Sequence, residues 1–137
     1  MSIVDELLKM DEGKIEKIEK ECKIKLKKLG NKEYTFIVRE VDPELIGEYQ
    51  ENLIEMRGKN VEISGTFNMK ANLIAESCSD IFRNQELLKR FKCPSPVELM
   101  KRIMTAGEIE ELYDHVQDVN GFEDEEKKEN KKKKLKN

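Results

Sequence analysis

The side chains best placed to do chemistry are four polar residues near the end of the chain. Glu108, Glu111, His115 and Asp118 recur at three- and four-residue spacing, which puts them on one helix face. Glu111 and His115, at i and i+4, would offer a carboxylate and an imidazole to a metal ion. A structural zinc site takes about four ligands, and His115 is the chain's single histidine. The cysteines, Cys22, Cys78 and Cys93, form no C-x-x-C pair. The helix face therefore reads as solvated, with an i, i+4 pair on it.

Other chemistries fare no better. General acid–base work needs carboxylates gathered in a concave, partly desolvated site, whereas here they alternate with lysines along helix surfaces. No glycine-rich phosphate loop, G-x-S-x-G or H-E-x-x-H occurs. The sequence assigns no catalytic, cofactor or metal residue and reads as that of a non-enzyme. Lys23, Lys25, Lys27 and Lys28, and Lys131 to Lys134, form basic runs, but acids surround them and no aromatics interleave. That argues against nucleic acid as the partner; weak, salt-dependent contact through the lysine tail is the alternative. An odd number of unpaired cysteines points to a reducing compartment. The N-terminus has early acids and no long apolar run, so it reads as lacking a signal peptide. No stretch approaches the length of a membrane span.

The elements that must position these residues follow from periodicity. Ser2 can cap a helix carrying Ile3, Val4, Leu7 and Leu8, Gly13 interrupts, and "KIEKIEKE" places Ile15 and Ile18 on one side, so residues 1–20 read as a helical arm in two pieces. "ECKIKLKKL" then alternates, with Cys22, Ile24 and Leu26 on one face and lysines on the other, the mark of a half-buried strand. Gly30 and Asn31 supply a turn, and "YTFIVREV" returns as a second strand. Asp42 caps a helix that opens on Pro43, with Leu45, Ile46, Tyr49, Leu53 and Met56 on one face, and Gly58 is suited to end it. A helix over about 65–81 carries Phe67, Ala71, Ile74, Cys78 and Ile81 or Phe82. Asn84 caps a short helix. Ser95 with Glu98, and Thr105 with Glu108, spell two capping boxes before helices of clear amphipathic pattern, and Gly121 with Phe122 spells a helix stop.

The resulting fold class is mainly α with a small N-terminal antiparallel β-hairpin, α+β: one compact domain over 21–122, preceded by the arm and followed by a tail, 123–137. The charge distribution separates that tail. It carries seven lysines and five acids, leaving 19 of the 26 basic and 24 of the 29 acidic side chains to the rest. With one apolar residue it cannot offset its ordering entropy and is expected to be disordered. The composition, 40% charged without tryptophan, suits a small interaction or structural protein.

The run "NQELLKRFKCPSPVELMKRIMTAGEIEELYDHVQDVNGF" resembles the C-terminal half of the XkdN-like phage tail assembly chaperones. The positions that carry the resemblance are Glu98, Leu99, Lys101, Gly107, Glu108, Ile109, Leu112, Tyr113, Val116, Gly121 and Phe122. Ala106 stands where the family often has proline, and Val116 where it has isoleucine. The hairpin and "DPELIGEYQE" are similar to the N-terminal half. The resemblance spans about residues 20–122, with the lysine tail outside it. It implies a chaperone, in phages or prophage-derived tail-like particles, that binds the tape measure protein and keeps it soluble while the tail tube assembles. The partners it implies are the tape measure protein and the tail tube protein, with self-association a further expectation. The implied location is the bacterial host cytoplasm, with the protein absent from the mature particle. The alternatives are a structural tail component or a small acidic adaptor. The expected gripping surface is Leu45, Tyr49, Leu53, Met56, Phe67 and Ile74.

Overall fold

The structure, a computed structural model, describes residues 2–57 and 63–122, and the side chains of all of these except 52–57 and 63–65. The order is α1 (Ile3–Lys9), β1 (Glu19–Leu26), β2 (Lys32–Arg39), α2 (Pro43–Arg57), α3 (Ile63–Ser77), α4 (Ser79–Phe82), α5 (Gln85–Arg90), α6 (Pro96–Ile103) and α7 (Ala106–Val119). The α+β class read from the sequence is the one observed. The expected helix end at Gly58 and the tail 123–137 lie outside the described residues.

The hairpin follows from its period of two. β1 and β2 pair antiparallel with Cys22 opposite Phe36 and Ile24 opposite Tyr34. Cys22, Ile24, Leu26, Phe36 and Val38 are buried on one face, and the other carries mostly charged residues, with Thr35 and Ile37 among them. The strands are joined through a 3₁₀ turn over Lys27–Leu29. Gly30 and Asn31 follow with φ of +77° and +58°, a conformation that glycine and asparagine tolerate best.

A two-stranded hairpin is marginal alone, so its apolar face needs a cover. α3 lies at the centre, against α2, α6 and α7, while α7 spans both strands. Ala71 and Ala75, both fully buried on α3, allow neighbours a close approach. Phe82 is fully buried and stacks near Phe36, ring centroids 6.5 Å apart. A smaller cluster of Val41, Ile46 and Leu73 gathers Leu45, Tyr49, Met69 and Tyr113 around it.

Three local expectations change. The helix expected over 65–81 begins at Ile63 and breaks at Cys78, whose φ of −114° and ψ of +45° are not helical; the break turns Phe82 into the core beside the hairpin. The second helical piece expected over "KIEKIEKE" does not form: a single 3₁₀ turn covers Glu12–Lys14, and β1 starts at Glu19. The strand wins there because the ladder continues: Glu40 N–H donates to the Ile18 carbonyl at 3.0 Å. At α6 the capping box is half made. Ser95 accepts from Glu98 N–H, but the Glu98 carboxylate meets Lys101 Nζ at 3.4 Å.

Candidate functional site

The conspicuous chemistry of the sequence sits on α7, and the structure divides it. Glu108 is buried, Glu111 exposed, and Asp118 pairs with Lys20 at 3.4 Å. The four residues therefore do not form one solvated face. Thr105 N–H donates to Glu108 Oε1 at 2.9 Å, and Lys27 N–H donates to Oε2 at 3.2 Å. Burial pushes the Glu108 carboxyl up, but these backbone donors outweigh it and hold it below its ordinary value. Glu108 thus completes a capping box and also fastens the end of β1.

The far end of α7 does the same for β2. Asn120 Oδ1 accepts from Val41 N–H at 2.7 Å, while its amide donates to the Val116 carbonyl at 2.8 Å. Gly121 takes φ of +84°, and Phe122 N–H returns to the Gln117 carbonyl at 2.8 Å. That reverse bond with a glycine one residue earlier is the Schellman stop. Ile109 and Leu112 fill the core between the two ends, and Tyr113 packs at its rim beside both clusters. A third tie was missed in the sequence. Ser77, fully buried at the end of α3, accepts from Arg39 N–H at 3.1 Å and donates to the Arg39 carbonyl. Its signal was a hydroxyl beside the apolar stripe of Ile74 and Cys78.

Among the described residues no group of three or more His, Cys, Asp and Glu could hold a metal. Cys22 and Cys78 are buried free thiols, and burial pushes Cys78 up to about 12, which keeps it from being a nucleophile at neutral pH. The concavities are shallow. One, of about 240 Å³, is lined by Val41, Pro43, Ile46, Val119 and Phe122. Another, of about 450 Å³, lies between Lys23 and Lys25 of β1, Lys27 just after it, and the first turn of α7.

The residues expected to grip a partner are scattered in depth. Ile74 is fully buried and belongs to the core. Leu45 and Tyr49 are half-buried around the smaller cluster, and Phe67 is half-buried against the main one. The side chains of Leu53 and Met56 lie outside the described residues. Among the described side chains, the large exposed apolar residues are Phe122, 43% exposed, and seven in the arm: Ile3, Val4, Leu7, Leu8, Met10, Ile15 and Ile18 are 48–80% exposed, and α1 buries no residue at all.

A family model described as phage XkdN-like tail assembly chaperone protein matches residues 4–134. The chain belongs to that family. The match is wider than the 20–122 resemblance read from the sequence, and takes in both the arm and nearly all of the lysine tail. The chaperone's fold is similar to the crystal structure of the protein yqbn, at a TM-score of 0.57 and 21% identity over 82% of this chain and 93% of that one. No protein in the curated comparison matches. In this tail assembly chaperone, Gly107, Glu108, Ile109, Leu112, Tyr113, Gly121 and Phe122, read from the sequence as carrying the resemblance, lie on α7 or directly after it. They start, pack and stop the helix that clamps the hairpin.

Proposed function

We propose that this tail assembly chaperone binds the tape measure protein and keeps it soluble while the tube assembles. The observation that carries the reading is the arm. Ile3, Val4, Leu7 and Leu8 fall at helical spacing on a helix with no buried residue, and Leu8 is 80% exposed. Ordered apolar surface of this kind marks an interaction site. A tape measure protein is a long helical chain whose apolar stripes need cover before the tube forms, and an amphipathic arm can lie along such a stripe. Leu45, Tyr49 and Phe67, at the edge of the body, complete the gripping surface together with Leu53 and Met56; Ile74 supports it from within. Release on tube assembly calls for weak individual contacts held by multiplicity.

Co-expression with the tape measure protein tests this. The client's soluble fraction should rise with the full chain and fall back with Leu7→Asp/Leu8→Asp. A client equally insoluble with and without the chaperone would sink the proposal. A client rescued equally by the double variant would remove the arm from it. Locating the chaperone in host cytoplasm and finding it depleted from purified particles by mass spectrometry would separate it from a structural tail component.

A further inference from the structure

We propose that the free edge of β1 pairs antiparallel with the same edge of a second copy, making a continuous four-stranded sheet across a two-fold axis at Cys22. The hydrogen-bond pattern of the hairpin defines that edge. Even-numbered residues of β1 face β2, since the ladder continues through Glu40 N–H to the Ile18 carbonyl, and the Leu26 carbonyl accepts from Asn31. Arg39, opposite Glu19, turns both backbone groups away to Ser77. The backbone groups of Glu19, Glu21, Lys23 and Lys25 therefore point off the sheet. An open cleft runs beside them, between β1 and the start of α7.

An unprotected edge usually invites any strand, and proteins block it with charged side chains, lysine above all. Here the outward face of the edge reads Glu19, Glu21, Lys23, Lys25, two acids and then two bases. Turned antiparallel on itself about Cys22, the series is self-complementary. Glu21 meets Lys23 of the second copy and Glu19 meets its Lys25, each pair occurring twice by symmetry. Sliding the register by two residues in one direction sets Lys23 against Lys23, and in the other Glu21 against Glu21. The first slide would also require Lys27 N–H, which already donates to Glu108 at 3.2 Å. The favoured register stops short of it.

Among the described residues of one copy the two central charges have no competing partner. Glu21 lies opposite Ile37 and Lys23 opposite Thr35, and among the described residues neither is within ion-pair distance of an opposite charge. Glu19 already meets Arg39 at 3.4 Å and Lys25 lies opposite Glu33, so the central pairs set the register and the outer ones add less. The pairing also carries Ile18, 48% exposed, to a position opposite Leu26 of the second copy.

Sedimentation of the full chain from micromolar to millimolar concentration, with charge variants on the exposed face, tests the proposal. The chain should form a dimer that weakens with salt. Glu21→Lys alone and Lys23→Glu alone should each weaken it about tenfold or more, because each sets like charges opposite one another twice. The double variant Glu21→Lys/Lys23→Glu should restore it, and a mixture of the two single variants should form the heterodimer. Carbodiimide cross-linking should join Glu21 of one copy to Lys23 of the other, read by mass spectrometry on mixed isotope-labelled chains. A monomer throughout, or a dimer indifferent to the single variants, would overturn the proposal. Circular dichroism checks that each variant keeps the hairpin, and loss of the fold in the singles would move the test to the cross-link in the unaltered chain.

Discussion

The two ends of the chaperone are built on opposite principles. α7 is tied at both ends by buried or half-buried polar groups, Glu108 to Lys27 and Asn120 to Val41, with Leu112 and Val116 almost fully buried between them. The arm's helix also carries apolar side chains, Ile3, Val4, Leu7 and Leu8, but none of them is buried. Both segments are amphipathic helices with good N-caps, Thr105 and Ser2. What separates them is tertiary contact: a short helix gains most of its stability from packing an apolar face. The arm's remains unspent in the monomer, and that is the property an interaction segment needs.

The comparison breaks most readily at the centre of α7. Leu112→Ala should cost about 3–4 kcal/mol, since it removes a fully enclosed side chain and leaves a cavity; denaturant unfolding measures it. Glu108→Ala should cost about 2–3 kcal/mol by leaving the Thr105 and Lys27 N–H groups without their charged acceptor. The sign with pH is fixed by the lowered value of Glu108. Its contribution is complete above the ordinary carboxylate range, near 4.5, and is lost as pH falls through the lower folded value. The stability gap between the unaltered chain and Glu108→Gln should therefore narrow in acid unfolding experiments, and a gap that stays constant would remove the charge from the argument.

Smaller effects sharpen the contrast. α5 ends with Lys92 at φ of +55°, and Cys93 N–H returns to the Leu88 carbonyl at 2.9 Å. This is the same stop that Gly121 makes, carried by a residue with a Cβ. Lys92→Gly should stabilise the fold by about 0.5–1 kcal/mol, read from the thermal midpoint. In the arm, Leu8→Ser should change unfolding stability by less than about 0.5 kcal/mol, because Leu8 is 80% exposed. A larger loss there would mean that the arm docks on a body, its own or another's.

Some of this was legible before any fold was known. The alternation of Cys22, Ile24 and Leu26 against lysines, the turn at Gly30 and Asn31, and the caps at Asn84, Ser95 and Thr105 all stand where local pattern puts them. The acid stripe did not read true, since 3.6-residue spacing places Glu108 and Glu111 on one side without saying that the end of β1 covers one of them. Ile74 and Tyr49 look alike on a helical wheel, yet one lies under α7 and the hairpin and the other at the edge of the smaller cluster. The break at Cys78 was hidden for a similar reason: no glycine or proline marks it, and it exists to bring Phe82 against Phe36.

By itself the sequence determined the hairpin, most of the helices with their caps, and membership among the tail assembly chaperones. These depend on side-chain period and on backbone groups satisfied within a few residues. Only the tertiary structure decided which carboxylate is buried, which apolar helix is left bare and which strand edge stays open. Each of those depends on what lies across from a residue, and the segments that meet there are tens of residues apart in the chain.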